Sequence, residues 1–139
     1  MQLNLGNKTA QIVFPDADLQ AAADATVGSA FPGQAGSAIS RVLLHESVRD
    51  EFIALLQEKA QSAGPSMLID AAAVERAERY VAMGRTHGEL LLGGARPGDK
   101  EYAKGCYFEP TAFAFADQSS PVCRDEIFGP VVSVPVSYT

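Results

Sequence analysis

The side chains that most often carry out covalent or acid–base chemistry are few in this chain. There are two cysteines, Cys106 and Cys123, and two histidines, His45 and His87. A nucleophilic site needs a thiol or hydroxyl close to a base, and such a group can assemble in space from distant parts of a chain. The positions of these residues nevertheless favour a strand end for His45, a helix end for His87, and buried, small-hydrophobe behaviour for both cysteines.

Two further patterns could bind ligands. Gly28 and Gly33 are spaced like the glycines of a phosphate loop, but no lysine followed by a hydroxyl residue comes after them, so a helix-ending glycine turn is favoured. Asp16 and Asp18 alternate as cation ligands can, yet further oxygen ligands are missing from the pattern, so helix capping is favoured. The sequence therefore predicts no metal site.

Composition and charge narrow the class of protein. Of 139 residues, 47% are apolar and 20% are charged, which is ordinary for one globular domain, here residues 1–139. The 17 acidic and 11 basic residues give a net charge of −6, which argues against nucleic acid or an anionic membrane surface as partner. No apolar run approaches the roughly 20 residues that cross a bilayer, and the N-terminus lacks signal-peptide features. These properties predict a soluble cytoplasmic protein.

Alternating helical and strand patterns predict the fold class. Helical spacing of apolar residues indicates helices that begin at Asp16 or Asp18, at Ser47 and at Asp70. Apolar runs between turn signals predict strands over residues 11–14, 41–44, 90–92, 107–108, 111–115 and 131–136. Because parallel neighbours need helical crossovers, this order predicts an α/β fold with an open, mostly parallel sheet flanked by helices.

Local signals also predict details of two helices. The hydroxyl of Ser47 is expected to cap the second helix. In the third helix, Glu75 and Arg79 are spaced to pair across one turn. That helix is expected to end at His87 and Gly88, with the imidazole near the negative helix end and the glycine in a left-handed turn.

Four stretches carry recognisable motifs in a fixed order. Residues 3–8 read LNLGNK, residues 33–41 GQAGSAISR, residues 105–111 GCYFEPT and residues 126–131 EIFGPV. They resemble the segments L-E-L-G-G-K, G-Q-x-C-x-A-x-x-R, G-x-[YF]-x-x-P-T and E-I-F-G-P-V of the aldehyde dehydrogenase superfamily. The likeness extends over essentially the whole chain and implies part of that family's catalytic domain.

The resemblance also implies which of the family's reacting groups and cofactor contacts this chain has lost and which it has kept. In the family, a cysteine thiolate attacks the aldehyde, hydride passes to a nicotinamide cofactor, and the thioester is hydrolysed. Gly36 stands at the position of that nucleophile and Asn4 at the position of the glutamate that acts as general base. A glycine has no nucleophile and an amide does not accept a proton near neutral pH. Glu126 and Phe128 are implied as retained, vestigial cofactor contacts.

Three functional hypotheses follow. The favoured one is a disabled, truncated catalytic domain that serves as a structural or self-association module. A second copy or another chain would then cover the face that the family's cofactor domain covers, and no cofactor is expected. The second is an NAD- or NADP-dependent oxidoreductase, or part of one, that oxidises an aldehyde to a carboxylic acid through Cys106 or Cys123. The third is a module with weak NAD affinity through Glu126 and Phe128.

Overall fold

In a computed structural model, the structure describes residue 1 and residues 6–32, 34–115 and 117–135. Four helices lie among seven strands in these ranges, together with short 3-10 turns at Glu46–Val48 and Lys100–Tyr102. In chain order the elements are β1 (Ala10–Val13), α1 (Leu19–Ala30), β2 (Arg41–Leu44), α2 (Arg49–Ala60), β3 (Ser66–Met67), α3 (Ala71–His87), β4 (Gly88–Leu92), β5 (Tyr107–Phe108), β6 (Thr111–Phe115), α4 (Pro121–Arg124) and β7 (Val131–Pro135).

The main sheet has five strands in the order β1-β2-β7-β6-β4. Strands β1, β2, β7 and β6 run parallel to their neighbours, and β4 joins β6 as an antiparallel edge strand. A separate two-stranded antiparallel sheet pairs β3 with β5. This arrangement confirms the predicted α/β fold with an open, mostly parallel sheet.

Helices cover both faces of the main sheet because successive residues of its strands point to opposite sides. Val132 and Val134 of β7 belong to the core that contains Phe52 and Leu56 of α2. Val131, the preceding residue of β7, belongs to a second core formed with α3 and α4. The central strands β6 and β7 are accordingly buried on both faces, as sandwiched parallel strands are.

Helix capping follows the predicted chemistry at two helices. The Asp18 carboxylate accepts a hydrogen bond from the backbone N–H of Ala21 at 3.0 Å and so caps α1, whereas Asp16 lies before the cap. Asp70 likewise accepts from the N–H of Ala73 at 2.8 Å at the start of α3. Both carboxylates therefore have structural roles.

The predicted start of α2 is wrong. Instead of Ser47 capping the helix, the imidazole Nδ1 of His45 accepts the backbone N–H of Ser47 at 3.2 Å. A 3-10 turn follows, and the helix begins at Arg49 with no side-chain cap on Val48. The reason is that β2 ends at Leu44, which places the imidazole within reach of the first free N–H.

Two predictions for α3 are also wrong. The helix does end at His87, but Gly88 has an extended backbone with φ −144° rather than a left-handed one. A Cβ at Gly88 would lie 2.6 Å from the carbonyl oxygen of Ala114, so this glycine allows close approach of β4 to β6. Among the described ion pairs, the helix contributes Glu78, which pairs with Arg96 at 2.7 Å, and not Glu75 with Arg79.

Several boundaries differ from the predicted ones. β1 begins and ends one residue earlier than expected, and β4 begins at Gly88 rather than at residue 90. Val136, the last residue predicted for β7, lies outside the described residues. The sequence did not predict β3 or α4, which are only two and four residues long. Elements this short carry little periodicity, and β5, which is as short as β3, was predicted only from its two adjacent aromatic residues.

Replacing Asp18 by alanine should lower the free energy of unfolding by about 1 kcal/mol, because the first turn of α1 loses its side-chain acceptor. Asp16→Ala is the matched control, since it removes an exposed carboxylate two residues before the cap and should change stability by less than about 0.5 kcal/mol. Urea unfolding followed by circular dichroism measures both. Equal losses in the two variants would contradict the capping assignment.

Candidate functional site

A cleft opens at the amino ends of three neighbouring parallel strands. Its walls are the segments that precede β1, β2 and β7, namely Asn7, residues 35–40 and residues 126–131. Because parallel strands start at the same edge of a sheet, residues far apart in sequence meet there. An open depression adjoins the cleft, lined by Gly6, Gly36, Glu126 and Phe128, with a volume of about 370 Å³.

Three of the residues singled out from the sequence, Gly36, Glu126 and Phe128, line this cleft together. The carbonyl oxygen of Gly36 accepts a hydrogen bond from Asn7 Nδ2 at 2.8 Å. A Cβ built on Gly36 would meet no atom of a described residue within 4 Å, so these residues leave the space for a side chain open. The fourth predicted site residue, Asn4, lies outside the described residues.

The segment that carries Glu126 and Phe128 is held by side chains from other elements. Ile127 is buried, and its carbonyl accepts from Arg76 Nε at 2.8 Å. The carbonyl of Phe128 accepts from Gln34 Nε2, also at 2.8 Å. Phe128 has a left-handed backbone, with φ +55°, and its side chain is 41% exposed. The aromatic ring is therefore presented to solvent by a constrained backbone.

Gly6 completes the wall beside Glu126. Its backbone has φ +103°, a conformation that glycine adopts without steric cost. A Cβ at this position would lie 3.1 Å from Glu126 Oε2, so the backbone of residue 6 packs closely against the carboxylate. Glu126 is itself exposed and is an acceptor available to a ligand with hydroxyl groups.

The amine of Lys8 lies next to the cleft, beside Asn7 and Glu126. Lys8 Nζ is buried and makes no hydrogen bond to a described residue. The pKa of Lys8 is lowered to about 8, chiefly by burial and in smaller part by Arg41, against the raising effects of Cys123, Asp125 and Glu126. At neutral pH the group is thus a buried cation that is only partly compensated.

The two thiols lie elsewhere. Cys123 is fully buried in α4, and its thiol donates a weak hydrogen bond to the carbonyl of Asp117 at 3.8 Å. Burial raises the pKa of this thiol despite the nearby charges of Lys8 and Arg41, which lower it. Cys106 is half-buried and packs against the second core. Neither cysteine is among the residues that line the cleft. A buried thiol with a raised pKa is a poor nucleophile, as predicted for Cys123.

The histidines are also outside the cleft. His45 follows the carboxyl end of β2, at the opposite edge of the sheet, and its Nδ1 lies 2.8 Å from Ser47 Oγ. His87 lies in the last turn of α3, with its Nδ1 2.9 Å from the carbonyl of Met83. The predicted strand-end and helix-end positions are confirmed. The cleft therefore receives no imidazole base from the described parts of the chain.

The described residues contain neither a candidate metal centre nor a membrane-spanning helix. In residues 6–32, 34–115 and 117–135, no three His, Cys, Asp or Glu side chains are grouped so as to hold a metal ion. No helix in these ranges is both long and apolar enough to span a bilayer.

The sequence assigned no role to Gln34 or Arg76, although both fix the backbone next to Phe128. Gln34 had a weak signal, since it stands two residues before Gly36 in one of the recognised motifs. Arg76 had none, because an arginine on an amphipathic helix is ordinarily read as part of its solvated face.

Comparison with known proteins gives a consistent result. The family model described as "Aldehyde dehydrogenase family" matches residues 1–137. Among curated relatives, the chain is 37% identical to betaine aldehyde dehydrogenase of Bacillus subtilis (strain 168), over 95% of this chain and 30% of that protein. It is 39% identical to the NADP/NAD-dependent aldehyde dehydrogenase PuuC of Escherichia coli (strain K12), over 95% of this chain and 28% of PuuC.

Solved structures resemble the chain in the same way. A gamma-glutamyl-gamma-aminobutyraldehyde dehydrogenase from Burkholderia cenocepacia J2315 superposes with a TM-score of 0.88 at 36% identity, over 97% of this chain and 30% of that one. An indole-3-acetaldehyde dehydrogenase solved in complex with NAD⁺ gives 0.87 at 34% identity, over 96% and 30%. The chain thus spans less than a third of the length of the relatives that it matches.

Replacing Lys8 by methionine should stabilise the protein at neutral pH. In the folded chain the pKa of Lys8 is about 8, against an ordinary value of 10.5, so the unfolded chain binds more protons between these values. The free energy of unfolding of the unaltered protein should therefore rise as pH increases from 8 to 10.5. The advantage of Lys8→Met at pH 7 is at most about 3 kcal/mol, and it should shrink over the same range.

Chemical denaturation of both proteins at pH 7 and pH 9.5 gives the difference in their free energies of unfolding at each pH. This difference should be smaller at pH 9.5. Lys59→Met is the control, because Lys59 forms a surface ion pair with Asp24 at 2.6 Å and its loss should not stabilise the chain. If Lys8→Met is less stable than the unaltered protein at pH 7, the amine has a stabilising partner and this description of its environment is wrong.

Proposed function

Since the chain belongs to the aldehyde dehydrogenase family, we propose that it is a part of the family's catalytic domain in which covalent aldehyde chemistry is disabled and which serves as a structural, self-associating module. Gly36 carries the proposal. It lies in the cleft with Glu126 and Phe128, there is open space where a side chain would be, and no cysteine lines that space. A thioester cannot form where no sulfur is present.

Asn4 supports the same proposal from the sequence. By resemblance it occupies the position of the residue that activates water for thioester hydrolysis, and an amide does not accept a proton near neutral pH. The attack on the aldehyde and the hydrolysis of the thioester would thus both lack their reacting group. The two alternative thiols are poorly suited to replace it, because Cys123 is fully buried with a raised pKa and Cys106 lies outside the cleft.

Exposed apolar side chains support self-association. Ile12 on the edge strand β1 is 62% exposed, and Phe14 directly after it is 61% exposed. Neighbouring exposed apolar groups on a free sheet edge favour pairing with another chain. We propose that a second copy covers this edge.

Self-association through the edge strand should be concentration-dependent and sensitive to Ile12→Lys. Light scattering coupled to size exclusion should give a mass above that of a monomer at high concentration, and the substitution should return it to the monomer value. Ile69→Lys is the matched control, since Ile69 is 82% exposed but lies away from β1. A strictly monomeric particle at every concentration would remove self-association from the proposal.

One observation favours a second candidate, an NAD- or NADP-dependent oxidoreductase or a part of one. The carboxylate of Glu126 and the exposed ring of Phe128 stand together at the cleft, as they would to contact a nicotinamide riboside. The carboxylate can accept hydrogen bonds from ribose hydroxyls and the ring can stack on a flat heterocycle, and the bound cofactor would supply a hydride acceptor. No G-x-G-x-x-G motif for the pyrophosphate occurs in the chain.

The decisive comparison is between the unaltered chain and Gly36→Cys combined with Asn4→Glu. Neither protein should reduce NAD or NADP with any of a panel of aldehydes, because the sequence has no G-x-G-x-x-G motif to hold the pyrophosphate and so position a dinucleotide against the introduced thiol. The Gly36→Cys substitution should not disturb folding, since a Cβ at Gly36 meets no atom of a described residue within 4 Å. Rapid reaction of the introduced thiol with a thiol reagent, compared with buried Cys123, confirms that the cleft is accessible.

Two outcomes would contradict the proposal. Turnover by the unaltered chain that disappears in Cys106→Ser or Cys123→Ser would identify a working thiol and establish the oxidoreductase instead. Turnover by the doubly substituted chain but not by the unaltered one would show that the residues of this chain position the cofactor without further protein.

A further inference from the structure

We propose that Gln34 is a positioning residue that holds Phe128 in its left-handed backbone conformation and thereby fixes the exposed ring at the cleft. That this positioning helps to bind a nicotinamide rests on the second candidate function above. The positioning of Phe128 by Gln34 does not depend on that function. In the part of the chain that the structure describes, Phe128 is the one non-glycine residue with positive φ. A side chain disfavours this conformation, so surrounding contacts must impose it.

Both peptide groups that flank Phe128 are held from outside. The carbonyl of Ile127 belongs to the peptide before Phe128, and it accepts from Arg76 Nε at 2.8 Å. The carbonyl of Phe128 belongs to the peptide after it, and it accepts from Gln34 Nε2 at 2.8 Å. Since φ and ψ are the rotations between these two planes, fixing both planes fixes the residue. The burial of Ile127 anchors the first plane independently.

Gln34 can fix the second plane because its own orientation is determined. Its Oε1 accepts the backbone N–H of Ile69 at 2.8 Å, while Nε2 donates to Phe128. One amide thus links the segment before β2, the segment before α3 and the segment before β7. Rotating the amide by half a turn would break both bonds, so the nitrogen is held toward the carbonyl of Phe128.

The consequence is a preorganised surface. The Phe128 ring remains 41% exposed although its backbone is constrained, and Glu126 lies two residues before it in the same cleft. A flat ligand that stacks on this ring does not have to order the loop, which lowers the entropic cost of binding.

The test is the backbone conformation of residue 128 in solution, measured by carbon and nitrogen chemical shifts over residues 126–129, together with amide exchange at Ile69. Gln34→Leu removes both hydrogen bonds at similar volume. Gln34→Glu keeps the acceptor for Ile69 but places a carboxylate against the carbonyl of Phe128. Both variants should lose the left-handed shifts at Phe128. Only Gln34→Leu should make the Ile69 amide exchange faster, by about tenfold, the factor expected from one lost hydrogen bond.

Gln57→Leu is the matched control, because Gln57 Nε2 also donates to a distant backbone carbonyl, that of Leu91 in β4, at 2.9 Å. It should leave residues 126–129 unchanged. Left-handed shifts at Phe128 that persist in both Gln34 variants would overturn the proposal. Titration of the same samples with nicotinamide mononucleotide decides the cofactor candidate separately. If no resonance moves, that candidate is removed, while the ligand-free spectra still decide the role of Gln34.

Discussion

The parallel pairing of β1, β2 and β7 is the constraint on which the candidate site depends. Because these strands start at one edge, the short segments before them converge, and Asn7, Gly36 and Glu126 become neighbours despite their separation in sequence. The helices on both faces bury the strands and keep their starts in register. The cleft is therefore a property of the sheet rather than of any single loop.

In our proposal, the site combines a family-like architecture with missing reactivity. The strained conformation of Phe128 and the two side chains that hold its flanking peptides form a costly local arrangement, which persists only when surrounding contacts compensate for it. Beside it, Gly36 leaves open space instead of a reacting group. In our proposal the chain has kept the support for a ligand-facing loop without the sulfur that would make such a site react.

Much of the fold could be predicted because its signals are local. The carboxylates of Asp18 and Asp70 cap the helices they precede, since a cap depends only on a few neighbouring residues. Gly88 was mispredicted because its conformation is set by the pairing of β4 with β6, not by the end of its helix. Gln34 acquired no role because its partner Phe128 lies 94 residues away. Periodicity and spacing carry no information about such contacts.

The central claim is that this chain forms no acyl-enzyme, and intact-mass spectrometry tests it most directly. Incubation of the native chain with an activated acyl ester should leave no adduct that neutral hydroxylamine removes, because thioesters are cleaved by this reagent while amides on lysines are not. A stoichiometric, hydroxylamine-sensitive adduct mapped to Cys106 or Cys123 would contradict the claim, since it would show that a thiol of this chain reaches an acyl donor as a nucleophile.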